Sequence, residues 1–334
     1  MRRILVDIDL EKKVALYYTN LFSGRNANFV KPLDGLKNLY NKLGKIKHKK
    51  HREYIDTIIT KYEDIIKADS TKTKDLIKLF DKIGGGVILD QKINKSKEKF
   101  WEQIVKAMRY EDLRSSEFHH YIEASGIKSC VYCNSQLCVV VDFTYYDKKE
   151  KKLRPKRMSK FELDHYYPKS KYPFLCTSFY NLYPVCGNCN KAKSNSPLDF
   201  ELYTDDNSKL EIFKFWLDNN SILNYWITLN FKNLKVHFES VDGDFDFLNY
   251  YKKMFAIQGI YDTQIDIAEE LVHKAKVYSL AYNKSLVDNF KLLFPDKSIL
   301  ERLIVGNYAS ASEIHKRPMA KYSQDIARQL KLIK

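Results

Sequence analysis

Four cysteines fall in two Cys-x-x-Cys pairs, Cys130/Cys133 and Cys186/Cys189, with 52 residues between the pairs. A two-residue gap lets both sulfurs of a pair face one ion, so two pairs can close a tetrahedral Zn2+ site through four thiolates. Such closure ties residue 130 to residue 189 whatever lies between them, and no other feature limits the fold as much. Gly187 is expected to supply the tight turn of the second knuckle. A four-thiolate site has no open coordination position, so its expected role is structural. Six cysteines in 334 residues are too few for a disulfide scaffold. Of the two left over, Cys176 has no motif, and Cys138 lies in an apolar run and reads as a small buried hydrophobe.

The chain is long enough for two or three modest domains, or for one module with helical elaborations. Its 44% hydrophobic content supports real cores and excludes wholesale disorder. Fifty-seven basic residues against 42 acidic ones give a net charge of +15, which favours a polyanionic partner, nucleic acid ahead of a membrane surface. A lysine-rich composition alone also produces such a surplus. No stretch reaches the roughly 18 apolar residues that a membrane span needs. Asp7 and Asp9 interrupt the N-terminal segment too early for a signal-peptide core, so the expected location is the cytoplasm.

Residues 1–115 read as a helical region, with apolar positions at helical spacing through Leu36, Leu39, Tyr40 and Leu43 and through Tyr54, Ile58, Ile59 and Tyr62. Gly84–Gly86 is expected to break it in a loop. Residues 116–200 form a different module. Residues 136–146 are rich in strand-formers, Lys148–Arg157 reads as a basic turn, and Phe161–His165 reads as the returning strand of a hairpin. Residues 201–334 are mostly helical again, with helices expected at Ile212–Leu217, Asn249–Phe255, Asp262–Phe294 and from Ser323 onward. A short hairpin is expected from Trp226–Phe231 and Leu234–Phe238. The expected fold class is therefore α+β, a small module with a four-cysteine zinc site set between two mostly helical regions.

Asp164 and His165 lie inside this module. A neutral histidine near its reference pKa of roughly 6.5 is a good base at cellular pH. A carboxylate is a hard ligand for a divalent cation that neutralises charge at a phosphodiester. Neighbours on a strand point to opposite sides, so one can bind a cation while the other faces water. An Asp-His pair on its own is common, and a turn carboxylate beside a satisfied histidine explains it better.

The flanking residues change that balance. Asp164-His165-x-x-Pro168, Asn181-Leu182 and Cys186-x-x-Cys189-Asn190-x-x-Lys193 together resemble the HNH, or ββα-metal, endonucleases. The resemblance covers about residues 127–200. It implies a strand, loop, strand and helix around a metal, with His165 as general base and Asp164 as a ligand of a catalytic Mg2+ or Mn2+. By the same resemblance Asn181 holds the loop and Asn190 is the second ligand, an HNN variant that favours an oxygen-preferring ion. The implied activity is DNA cleavage to 5′-phosphate and 3′-hydroxyl ends. Large helical flanks are also similar to those of bacterial anti-phage HNH nucleases of the Septu-like and retron-associated kind, which implies an ATPase or other regulatory subunit as partner. A homo-oligomer or a restriction or homing role is an alternative, as is a zinc-stabilised nucleic-acid-binding module without catalysis. No membrane partner is expected.

Weaker signals are cationic. Lys169, Lys191 and Lys193 lie within the motif and are expected to contact the substrate strand, with Lys171 beside them, while the basic hairpin tip is a candidate phosphate grip. His119 and His120 read as part of the helix entering the module. His48 and His51 read as an exposed basic helix face. Glu313–Met319 is polar for its surroundings and is expected either to touch DNA or to pack against the module.

Overall fold

The computed structural model describes residues 1–93 and 96–333. The chain is α+β: helices dominate, and among the described residues each sheet has two strands. The N-terminal helices follow their signals. Asp7 caps Ile8–Asn20 by accepting from the Leu10 N–H at 2.8 Å, and Pro32 opens Pro32–Lys42. Ser70–Ile83 is capped by Asp69 and stopped by Gly84, whose φ of +111° few other residues adopt. A short helix, Gly85–Leu89, follows at once where a loop was expected.

His48 and His51 are buried, not exposed. His48 Nδ1 accepts from the Gly44 N–H at 3.1 Å, and the His51 ring packs edge-on against Phe100 at 4.7 Å. The lysines of that segment carry its exposed charge, while the imidazoles serve as packing groups.

The module contains two separate ribbons instead of one hairpin. Val140–Asp147 pairs antiparallel with Lys152–Ser159, so most of the basic run is itself a strand and the turn is only Lys148–Lys151. Glu162–His165 leaves that ribbon and pairs with Leu182–Val185. The helix Gly187–Lys193 follows directly, completing a strand–strand–helix order. None of the residues along 152–159 is buried, which fits a strand with little buried area, a pattern easily mistaken for a turn.

The C-terminal hairpin also has other partners. Trp226–Thr228 ends the helix Asn219–Thr228, whereas Phe213–Leu217, expected to be helical, is the strand that pairs with Val236–Ser240. Phe213, Phe215 and Leu217 alternate inward with Lys214 and Trp216 outward, a period of two that a six-residue apolar window conceals. Helices do form at Phe245–Phe255, Ile265–Val277, Leu280–Asn289 and Ala320–Gln329.

The boundaries near 115 and 200 are bridged by structure. Ile4–Leu5 pairs in parallel with Tyr203–Thr204, and one hydrophobic cluster runs through all three stretches. Among the described residues, no helix is long and apolar enough to cross a membrane.

Candidate metal centre and adjoining cleft

The two knuckles meet as their spacing requires. The sulfurs of Cys130, Cys133, Cys186 and Cys189 all lie within 4.8 Å of one another, and Cys133 and Cys186 are 4.0 Å apart. Tetrahedral Zn–S bonds of about 2.3 Å place sulfurs about 3.8 Å apart, so the tetrad fits a zinc-like ion. Donors from Cys130, Cys186 and Cys189 push the Cys133 thiol well below its ordinary range. Shared protons of this kind are what a metal replaces.

The first knuckle is a turn in which the Asn134 N–H donates to the Cys130 carbonyl at 2.8 Å. Cys186 precedes the second helix, and the Asn190 N–H donates to its carbonyl at 3.0 Å. Gly187 is the first residue of that helix and does not have a positive φ, so it makes no special turn. A Cβ there would sit 3.4 Å from a Glu162 carboxylate oxygen, which is ordinary contact.

Distant residues hold the knuckle. Asn134 is fully buried at a φ of +52°, and its amide donates to Ser129 Oγ at 2.8 Å and to the Ile314 carbonyl at 3.0 Å. Its side-chain oxygen accepts from the Lys321 N–H at 3.0 Å. The His315 carbonyl accepts from the Lys128 and Ser129 N–H groups. The polar segment near 313–319 thus packs against the module. Tyr251 and Tyr261 add hydroxyl donors to the Tyr132 and Cys133 carbonyls, at 2.6 and 2.7 Å.

A cleft of about 490 Å³ opens beside this centre, lined by Glu162, Asp164, His165 and Asn190 from the module and by Tyr110 and Arg114 from the N-terminal region. His165 forms its floor. Its Nε2 is 3.0 Å from the Cys176 carbonyl oxygen, which can only accept, so Nε2 carries the proton and Nδ1 the lone pair. Burial lowers its pKa to about 3, with Lys169 and Lys193 adding to the effect against the Cys176 bond. The ring is therefore neutral at any ordinary pH, and Tyr110 packs on it at 4.7 Å.

Asp164 is also buried. Its Oδ2 accepts from the Tyr132 hydroxyl at 2.6 Å and from Lys193 Nζ at 2.9 Å. Burial nevertheless raises its pKa, against Lys193 and Tyr132. Lys193 itself is only 1% exposed and also donates to the His165 carbonyl at 3.3 Å, so it is packed beneath the strand and does not line the cleft. Asn190 lines the cleft and donates to Glu162 through its amide nitrogen, which leaves its amide oxygen as a ligand candidate. Asn181 spans the loop, accepting from the Tyr167 N–H at 2.7 Å and donating to the Tyr167 and Leu175 carbonyls. Lys169 and Lys191 line the cleft, Lys169 over the Tyr110 ring at 4.5 Å; Lys171 lies over Tyr172 at 5.4 Å.

No protein-family model, no curated protein and no solved structure matches the chain.

Several cleft residues carry weak or no signal in the sequence. Glu162 lies two positions before Asp164 on the same strand face, a period-two relation that would have found it. Tyr132, which donates to Asp164 without lining the cleft, sits inside the first knuckle. Arg114 had no such signal: it lies on a π-helical turn, Leu113–Glu117, that no periodicity marks, and such turns recur at functional sites. His119 and His120 lie in the helix Phe118–Ser125, and His120 pairs with Glu117 at 3.6 Å, away from the cysteines.

Proposed function

We propose that the chain is a metal-dependent endonuclease of the HNH type that hydrolyses DNA phosphodiesters in the cleft. The observation that carries this reading is the meeting of His165, Asp164 and Asn190 in one cleft, with His165 Nε2 fixed to a backbone carbonyl and Nδ1 left with its lone pair. Its Nδ1 takes a proton from the attacking water, and the Cys176 carbonyl keeps the ring in the correct tautomer. Lys169, Lys191 and Arg114 line the same cleft and bind phosphate oxygens. Asn181 fixes the intervening loop, and with it the strand end that bears the base.

Three of the residues that line the cleft, Asp164, Asn190 and Glu162, carry oxygen donors, which suits a hard cation. Mg2+ or Mn2+ held by Asp164 and Asn190 would supply charge neutralisation at the scissile phosphate. The Lys193 ammonium already shares the Asp164 charge, so such an ion would bind next to a resident cation. Zinc in the cysteine tetrad would hold the fold and leave the reaction to the cleft.

Plasmid incubated with Mg2+ or Mn2+ should be nicked by the protein, and His165→Ala should abolish nicking with zinc content unchanged. Unimpaired nicking by that variant would remove His165 from the mechanism. A second reading, a zinc-stabilised nucleic-acid-binding module without catalysis, is favoured by the Lys193–Asp164 pair alone. Absence of metal-dependent nicking by the parent protein would support it. The anti-phage role and an ATPase or other regulatory partner rest on the motif resemblance.

A further inference from the structure

Among the described residues, the ribbon formed by Val140–Asp147 and Lys152–Ser159 pairs with no other strand, and two-stranded ribbons are marginal by themselves. Its root is anchored. The Lys160 N–H donates to the Val139 carbonyl at 2.8 Å, and Arg157 pairs with Glu123 at 2.7 Å and with Asp142 at 3.3 Å. Beyond the root, Phe143, Tyr145, Tyr146 and Leu153 are all exposed, at 40, 41, 57 and 69%. Apolar groups so placed on a free ribbon call for an occupant.

Register shows what one face offers. Phe143 is opposite Lys156, and Tyr145 is opposite Arg154, so two aromatic and two cationic side chains share a face. Lys156 Nζ lies 5.9 Å from the centre of the Tyr145 ring. Residues two apart on a strand are about 6.7 Å apart, twice the roughly 3.4 Å rise of stacked bases. Arg154 is engaged by Asp147 and Glu150, and Lys152 by Glu150. Among the described residues no carboxylate pairs with Lys148, Lys149, Lys151 or Lys156, so the turn and this face keep uncompensated positive charge.

We infer that this ribbon is a binding platform for a single-stranded nucleic acid, with bases stacked on Phe143 and Tyr145 and phosphates on the unpaired lysines. Stacking favours unpaired bases because their faces are free, whereas a duplex conceals them. Val141 and Met158 on this face cannot read base edges by hydrogen bonding, and Asp147 and Lys152 at its far end are engaged with Arg154 and Glu150. The platform is separate from the cleft and does not depend on whether the cleft cuts. Its root lies three residues before Glu162, so a short link of chain joins the ribbon to the strand that bears His165.

The full chain carrying His165→Ala, which suppresses cleavage, is titrated into labelled dT20, U20 and a 20-base-pair duplex and followed by anisotropy. Tighter binding of either single strand than of the duplex is expected, and the dT20 and U20 arms distinguish DNA from RNA. Phe143→Leu with Tyr145→Leu preserves apolar strand residues but removes the ring faces. It should weaken single-strand binding on the order of tenfold or more and leave duplex binding within about twofold. Lys149→Gln with Lys156→Gln should reduce the salt slope by about 1.4. Equal affinity for strand and duplex, leucine variants that bind like the parent, or a preference for anionic vesicles over both oligonucleotides would overturn the inference. Should the leucine variant fail to fold, Tyr145→Trp supplies a direct probe: its fluorescence should be quenched by dT20, and an unchanged signal at saturating strand would also overturn it. Plasmid nicking by the unsubstituted chain is scored separately, so failure of the platform and failure of the cleft are distinguishable.

Discussion

The Lys193 ammonium lies 2.9 Å from the Asp164 carboxylate, and both side chains are almost wholly out of water. A buried pair of this kind adds little net stability, yet removing one partner leaves the other charge stranded. Lys193→Met should therefore cost roughly 3–5 kcal/mol in urea unfolding. Pairing it with Asp164→Asn should recover much of that loss, because no lone charge remains. If the double variant is no more stable than Lys193→Met alone, the pair is not the source of the cost.

The cysteine tetrad gives a second expectation. Cys133→Ser or Cys189→Ser should lose the bound metal and lower the melting temperature sharply, since site closure is part of folding. Metal analysis of the purified protein checks stoichiometry, and one zinc per chain is expected. A variant that melts like the parent after losing its metal would make the site dispensable for the fold.

Asn134 should be costly to replace. Removing its side chain strips partners from Ser129, Ile314 and Lys321, each loss worth about 1–3 kcal/mol where the group stays dry. Asn134→Ala adds strain at a φ of +52°, whereas Asn134→Gly does not. Glycine should therefore be the milder variant by roughly 1 kcal/mol in the urea midpoint analysis. The reverse order would mean that backbone strain is not felt there.

His315 predicts acid sensitivity. It is buried, its Nε2 donates to the Arg2 carbonyl at 2.7 Å, and its Nδ1 has no partner. Burial holds its pKa at about 3, below the unfolded value. The unfolded chain therefore takes up the proton first, so this residue costs nothing above about pH 6.5 and stability falls as pH drops from there toward 3. The slope is about 1.4 kcal/mol per pH unit from this residue. His315→Gln can retain the donor and cannot titrate, so its stability should fall less steeply between pH 6.5 and 4.5. Parallel curves would place the acid sensitivity elsewhere.

Some of this molecule could be read from residue order alone. Knuckle spacing alone brought four sulfurs together, because two-residue gaps leave few other outcomes. The apolar spacing through Tyr54 and Ile58 likewise announced a helix, since it is a local pattern. Local pattern failed where long-range pairing decided the outcome. Phe213–Leu217 looks helical until Val236–Ser240 is available to pair with it, and the basic run at 152–159 looks like a turn until Val140–Asp147 lies beside it. Burial was the other concealed variable: nothing in Asn190-Lys-Ala-Lys distinguishes the dry Lys193 from the exposed Lys191. Arg114 and Tyr110 reached the cleft through packing of the N-terminal helices, which motif spacing does not encode.

Asn134 takes its partners from Ile314, 180 residues further along, and from Lys321. At roughly 5–20 residues per second of synthesis, those partners emerge from a ribosome on the order of 10–40 s after the knuckle. Cys186 and Cys189 follow the first pair by only about 3–11 s, so for most of that interval all four thiols are present without the partners of Asn134. The nascent chain therefore passes through a window in which capture by oxidants, by the wrong metal or by chaperones competes with the correct closure, and the length of that window is set by how far apart the staple was placed in the gene.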